Sequence, residues 1–129
     1  MFTAEAIKAA HSKVRSGADF PTYIQEIKAM GVTHYTCYVS DGHIDYHGDN
    51  DHVANVPAKY TALTIAATTD TATFKTELKT HQQGKTDFLT FIHSCARYGI
   101  DSWVVSMDQM TCTYYDQAGN EVLTEQIPG

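Results

Sequence analysis

The residues best suited to chemistry stand in one short run, Asp41-Gly42-His43-Ile44-Asp45-Tyr46-His47. Asp-Gly is a strong hairpin signal, so a returning strand should follow it. In a strand, side chains two apart share a face at a spacing of about 6.6 Å. That places His43, Asp45 and His47 in one row, with His34 and Thr36 across from them on the preceding strand. Imidazole and carboxylate suit Zn, Ni or Fe. The row is therefore the candidate metal set, and a divalent transition metal is the one cofactor the sequence suggests. The spacing matches no site signature, and ligands along one strand would have to converge on a single ion. A solvated strand face accounts for the same residues. Neighbouring aspartates favour imidazolium, so His43 and His47 also offer a pH-sensitive surface.

A second use of the same face is contact. Tyr38, His34, Thr113 and Tyr115 fall on the alternate positions of their strands, and tyrosine offers a large amphipathic area at low entropic cost. These residues are the candidate binding set, for a protein partner or for a second copy in a homodimer. Enzyme templates are absent: there is no Gly-x-Ser-x-Gly, Walker loop, Gly-x-Gly-x-x-Gly or His-Glu-x-x-His. Cys37, Cys95 and Cys112 lack a Cys-x-x-Cys pair and read as buried, reduced thiols. His11 and His81 lie on the apolar sides of helices, where a satisfied boundary histidine is expected, and His93 is expected to be exposed. The residues thus point to a non-enzymatic binding protein that needs no cofactor.

Charge narrows the partners. The 129 residues carry a net charge of −6, which disfavours nucleic acid, since phosphate binding needs a basic face. Between Lys28 and Lys59 there is no Lys or Arg, yet Asp41, Asp45, Asp49, Asp51 and four histidines lie there. No apolar run reaches the roughly 18 residues of a membrane span, and the first residues lack the basic start and apolar core of a secretory signal. A cytoplasmic protein that meets no membrane is the expectation.

The elements that must position these residues follow from periodicity. A first helix is expected from Ala4 to Val14, capped by Thr3, stapled by Phe2 and Ile7, and stopped at Ser16-Gly17. Asp19 caps a second, whose stripe is Phe20, Tyr23, Ile24, Ile27 and Met30 and whose stop is Gly31. Alternation then takes over, with Tyr35, Cys37 and Val39 on one side and His34, Thr36 and Tyr38 on the other. The hairpin returns through His43 to His47, Gly48-Asp49-Asn50 turns again, and Tyr60 to Ala66 reads as a third strand. Asp70 or Thr71 opens a helix carrying Phe74, Leu78 and His81. Thr86 or Asp87 opens the next, ending at Gly99. Strands around Trp103–Met107 and Cys112–Tyr114 follow, with a last one from Val122 to Ile127.

The plan is written twice. Asp19-Phe20-Pro21-Thr22-Tyr23-Ile24 with Gly31-Val32 returns 68 positions later as Asp87-Phe88-Leu89-Thr90-Phe91-Ile92 with Gly99-Ile100, and five positions are identical. A repeated supersecondary unit speaks to architecture. The expectation is a single α+β domain over residues 1–129, made of internally duplicated ααβββ units (about 3–66 and 70–127). A mostly antiparallel sheet would carry all four helices on one face, leaving the face with His34, Tyr38, Thr113 and Tyr115 polar.

Several strings are also familiar. Gly31-Val32-Thr33-His34-Tyr35, the turn Val39-Ser40-Asp41-Gly42-His43, Pro57-Ala58-Lys59-Tyr60, His81 to Asp87 and Met110 to Asp116 resemble the YbcV-like proteins, a family of unknown function in enterobacterial and prophage genomes. The resemblance covers nearly the whole chain. It implies a small α+β domain in bacterial cytoplasm, often of phage or prophage origin, and transfers no catalytic residue.

Overall fold

Thr3 starts the first helix as its composition suggests, its hydroxyl accepting the Ala6 N–H at 3.2 Å. The computed structural model describes residues 2–14 and 19–127. Helix α1 runs Ala4–His11, three residues short of the expected Val14, because the Ser12 and Lys13 N–H groups close a final turn onto Lys8 and Ala10. The expected stop at Ser16-Gly17 lies outside the described residues. Phe2 and Ile7, at the two staple positions, are both buried. Helix α2 spans Phe20–Ala29 with Pro21 in its first turn, and Gly31 leaves it at φ +105°, the left-handed stop that glycine adopts without strain.

Strand β1 (Val32–Tyr38) then pairs antiparallel with β2 (Ile44–Gly48). The expected Asp41-Gly42 turn joins them, with Gly42 at φ +79° and its N–H donating to the Tyr38 carbonyl. A single 3-10 turn, Asp49–Asp51, leads into β3, Val53–Val56. The third strand is therefore not Tyr60–Ala66. That segment is irregular, and its backbone bonds go singly to the hairpin and to a later helix: Leu63 N–H to Ser40 and Ala66 N–H to Ala96. Its apolar members serve the core, with Ile65 buried and the Tyr60 hydroxyl donating to the Val39 carbonyl at 2.6 Å.

Helix α3 (Thr71–Gln82) and helix α4 (Phe88–Arg97) are capped by Asp70 and Asp87, whose carboxylates accept the Thr73 and Thr90 N–H groups. Strands β4 (Ser102–Ser106), β5 (Thr111–Tyr115) and β6 (Glu121–Gln126) complete the chain. The fold is α+β, with four α-helices among the described residues and one antiparallel sheet in the order β3-β2-β1-β4-β5-β6. Among the described residues no helix is long and apolar enough to cross a membrane.

One core binds the layers. Tyr35, Cys37, Val39, Ile44, Tyr46, Val105, Met107, Cys112 and Tyr114 are buried from the sheet, together with Ile7, Ile24, Ile27, Phe74, Leu78, Phe91 and Ile92 from the helices. Trp103, on the same side, is half-buried against Phe91 and Tyr114. Each large side chain so buried contributes roughly 1.5–3 kcal/mol of transfer free energy. The helices therefore cover one face and leave the other to solvent.

The strand registers repeat with the sequence. Tyr35 faces Tyr46 in β1–β2, and Trp103 faces Tyr114 in β4–β5; both members shift by the same 68 positions. At the centre of the sheet, Thr36 in β1 faces Val104 in β4, which lies the same 68 positions on. The outer pairs differ by one residue, since Ile44 faces Val56 while Cys112 faces Glu125.

Candidate functional site

The uncovered face is laid out by three cross-strand rows. The first reads Val53, His47, His34, Ser106, Thr111, Gln126; the second reads Asn55, Asp45, Thr36, Val104, Thr113, Thr124. The third holds Tyr38, Ser102 and Tyr115. Alternation along each strand puts these side chains opposite the core residues. The expected register is met: His34 lies across from His47, and Thr36 across from Asp45.

The metal row does not converge. His43 places its Nδ1 on the Asp41 carboxylate and stacks its ring on Tyr38 at 4.1 Å. Asp45 turns the other way and accepts from Asn55 Nδ2 at 2.7 Å. His47 stacks on His34, rings 4.4 Å apart and 4° from parallel. His43 precedes β2, which starts at Ile44, so only Asp45 and His47 stand on the strand, and the three side chains serve three different neighbours. Among the described residues, no three of His, Cys, Asp and Glu gather as a metal-holding set.

What the face does form is a broad, shallow depression of about 480 Å3 around His34, Val104, Ser106, Thr111, Thr113 and Tyr115, closed at one end by Asp108 and Gln109. Three of the four candidate binding residues line it; Tyr38 lies outside, beside His43. Thr113 shares a hydroxyl–hydroxyl bond of 3.1 Å with Thr124, and the Thr33 hydroxyl donates to the His47 carbonyl. The rim residues Asp108 and Gln109 belong to the β4–β5 turn. The sequence signals that turn by the break in alternation after Met107, but not that its residues border the open face.

Electrostatics on this face follow from crowding. Partial burial, and then the His47 ring, push the His34 imidazole below its ordinary value. The Asp41 carboxyl is held low by the His43 backbone N–H and then by the His43 ring. Burial raises Tyr38, with Asp45 and Asp101 adding to it. Asp101 itself is raised by burial and by Asp116.

His81 and the thiols are structural. His81 stacks on Phe91 at 4.4 Å and meets the Thr86 hydroxyl at 3.0 Å, the satisfied boundary position expected of it. His11, expected like His81 at a boundary, is instead largely exposed, though its ring is partly shielded where it stands edge-on to Tyr23, and His93 is exposed as expected. All three cysteines are unpaired and buried. Burial pushes the Cys37 and Cys112 thiols up to about 12, and Cys95 well up too, which leaves none of them a nucleophile near neutrality.

No curated protein matches this sequence. A family described as "Protein of unknown function (DUF1398)" matches residues 8–126, from the middle of α1 to the end of β6 and hence across both halves of the sheet and its open face. The chain belongs to that family.

Proposed function

We propose that the protein acts by binding, through the open face of its sheet, a second copy of itself or another protein, and that it catalyses no reaction. The observation that carries this reading is the character of the face: broad, shallow and set with Tyr38, Tyr115, His34 and Thr113. An enclosed substrate pocket would be concave and mostly apolar, whereas protein contacts favour tyrosine on a broad surface. The same reading takes the protein as YbcV-like, of bacterial or prophage origin, cytoplasmic, and descended from a duplicated ααβββ unit. The repeated registers support the last point.

The test is the concentration dependence of sedimentation and of amide shifts. Self-association should move Thr36, Val104 and Thr113 as concentration rises, and Tyr38→Asp or Tyr115→Asp should abolish the movement. If the wild-type protein stays monomeric, capture of a partner that both variants lose would carry the reading instead. Retention of every contact by both variants would sink it. Saturation of His43 and His47 by one divalent ion per chain would favour metal binding in its place.

A further inference from the structure

We propose that a cleft between α1 and the β2–β3 side of the sheet binds a small carboxylate with an apolar body, the head group at Lys8 and Lys59 and the body over Ile44 and Val56. The cleft holds about 240 Å3, below the roughly 300–1,000 Å3 of a drug-sized ligand's pocket, so its occupant is of small-metabolite size.

Its floor is apolar. Ile7, Ile44, Val56 and Tyr46 line it and are nearly fully buried. The one polar atom of that floor, the Tyr46 hydroxyl, already pairs with the Tyr23 hydroxyl at 3.1 Å. A ligand body lying there would gain by desolvation and not by hydrogen bonding. The lip is the opposite: Lys8, His11 and Lys59 stand on it. Among the described residues, neither Lys8 nor Lys59 lies within ion-pair distance of a carboxylate. Lys59 is held at its backbone by the Asp41 carbonyl, and its ammonium faces the Phe88 ring at 5.6 Å. Its charge reaches across to His11, whose imidazole is lowered first by burial and then by Lys59.

In a chain of net charge −6, two ammonium groups with no ion-pair partner among the described residues, over an apolar floor, are a local reversal of sign. Charged donors above and hydrocarbon below select an amphiphilic anion. The space is too small for a nucleotide.

The probe is hexanoate, followed by amide shifts of the labelled protein, with hexanol and acetate as half-ligands. Hexanoate should shift Lys8, His11, Ile44, Val56 and Lys59 saturably, and each half-ligand should bind at least about tenfold more weakly. Lys59→Gln should weaken hexanoate about tenfold, Lys8→Gln less, and Lys75→Gln on exposed α3 not at all. Both lysines are surface residues, so an otherwise unchanged spectrum shows that the variants are folded. Binding of hexanol as tightly as hexanoate, shifts centred elsewhere, shifts that never saturate, or an unaffected Lys59→Gln would each overturn the proposal.

Discussion

The imidazoles of His34 and His47 lie face to face across the β1–β2 ladder, 4.4 Å apart and 4° from parallel. Two neutral rings can share that geometry; two imidazolium ions repel each other in it. The fold therefore favours the neutral form of His34, as it does for His11 and His81, which burial pushes down. A histidine depressed in the folded state contributes stability that is fully present above its unfolded value of 6.5. That stability is lost as pH falls through that value toward the folded one. Melting temperature should thus fall on acidification from about pH 8 to about pH 5. In His47→Gln, the His34 ring protons should titrate at higher pH than in the wild type. The recovery should be partial, because burial is the larger cause. An unchanged His34 titration would show that the stack exerts no repulsion.

The open face should tolerate substitution without loss of fold. Tyr38 and Tyr115 are only half-buried, so Tyr38→Asp and Tyr115→Asp should each cost about 1 kcal/mol or less in denaturant unfolding. Their effect should instead be on association. A cost comparable to that of a core truncation would mean that the face is a structural layer and not a contact surface.

Two glycines make a matched comparison. Gly99 and Gly84 both have positive φ, +84° and +78°. A Cβ on Gly99 would stand 2.7 Å from the Thr68 carbonyl oxygen, while one on Gly84 would meet nothing. Gly84→Ala should cost about 1 kcal/mol, the backbone term alone. Gly99→Ala should cost distinctly more, about 2–4 kcal/mol, since backbone must also move. Equal costs in urea unfolding would mean that the close approach relaxes freely.

The thiols should be silent in the native protein. With Cys37 and Cys112 raised to about 12 and Cys95 also raised, a thiol-specific reagent should find none of them reactive near neutral pH. All three should react in denaturant. Rapid labelling of one cysteine under native conditions would expose an opening of the core that the packing does not provide for.

Much of this was readable from the chain, and the exceptions have physical causes. Tyr35, Cys37 and Val39 alternate cleanly with His34, Thr36 and Tyr38, and a period of two leaves one side to the core. The Gly31 and Gly99 stops were equally legible, because each meets a local backbone need, and the caps were narrowed to Asp70 or Thr71 and Thr86 or Asp87, of which the aspartates cap. The third strand was not. Val53–Val56 is a four-residue edge strand with one buried side chain, too short and too exposed to show a pattern. Tyr60–Ala66 has the apolar content of a strand but sends its residues to the core from an irregular path. The site was half legible. Facing His34 and His47 follows from one hairpin, but the direction each metal-row side chain turns depends on neighbours such as Asn55, which entered with the misplaced strand. The cleft joins Lys8 to Lys59 across the fold, a proximity that no local spacing encodes.

Thr36 facing Val104, the residue 68 positions on, has a consequence for how the chain is held together. Tyr35 faces Val105 and Cys37 faces Trp103, so exchanging the two halves reproduces the same pairs. The register resembles an isologous contact of the kind found at the two-fold axis of a homodimer, contained in one polypeptide. The segment between β3 and α3 is then a tether that sets the effective concentration of one half for the other. Severed there, each half would bare a hydrogen-bonding edge, β1 in one and β4 in the other.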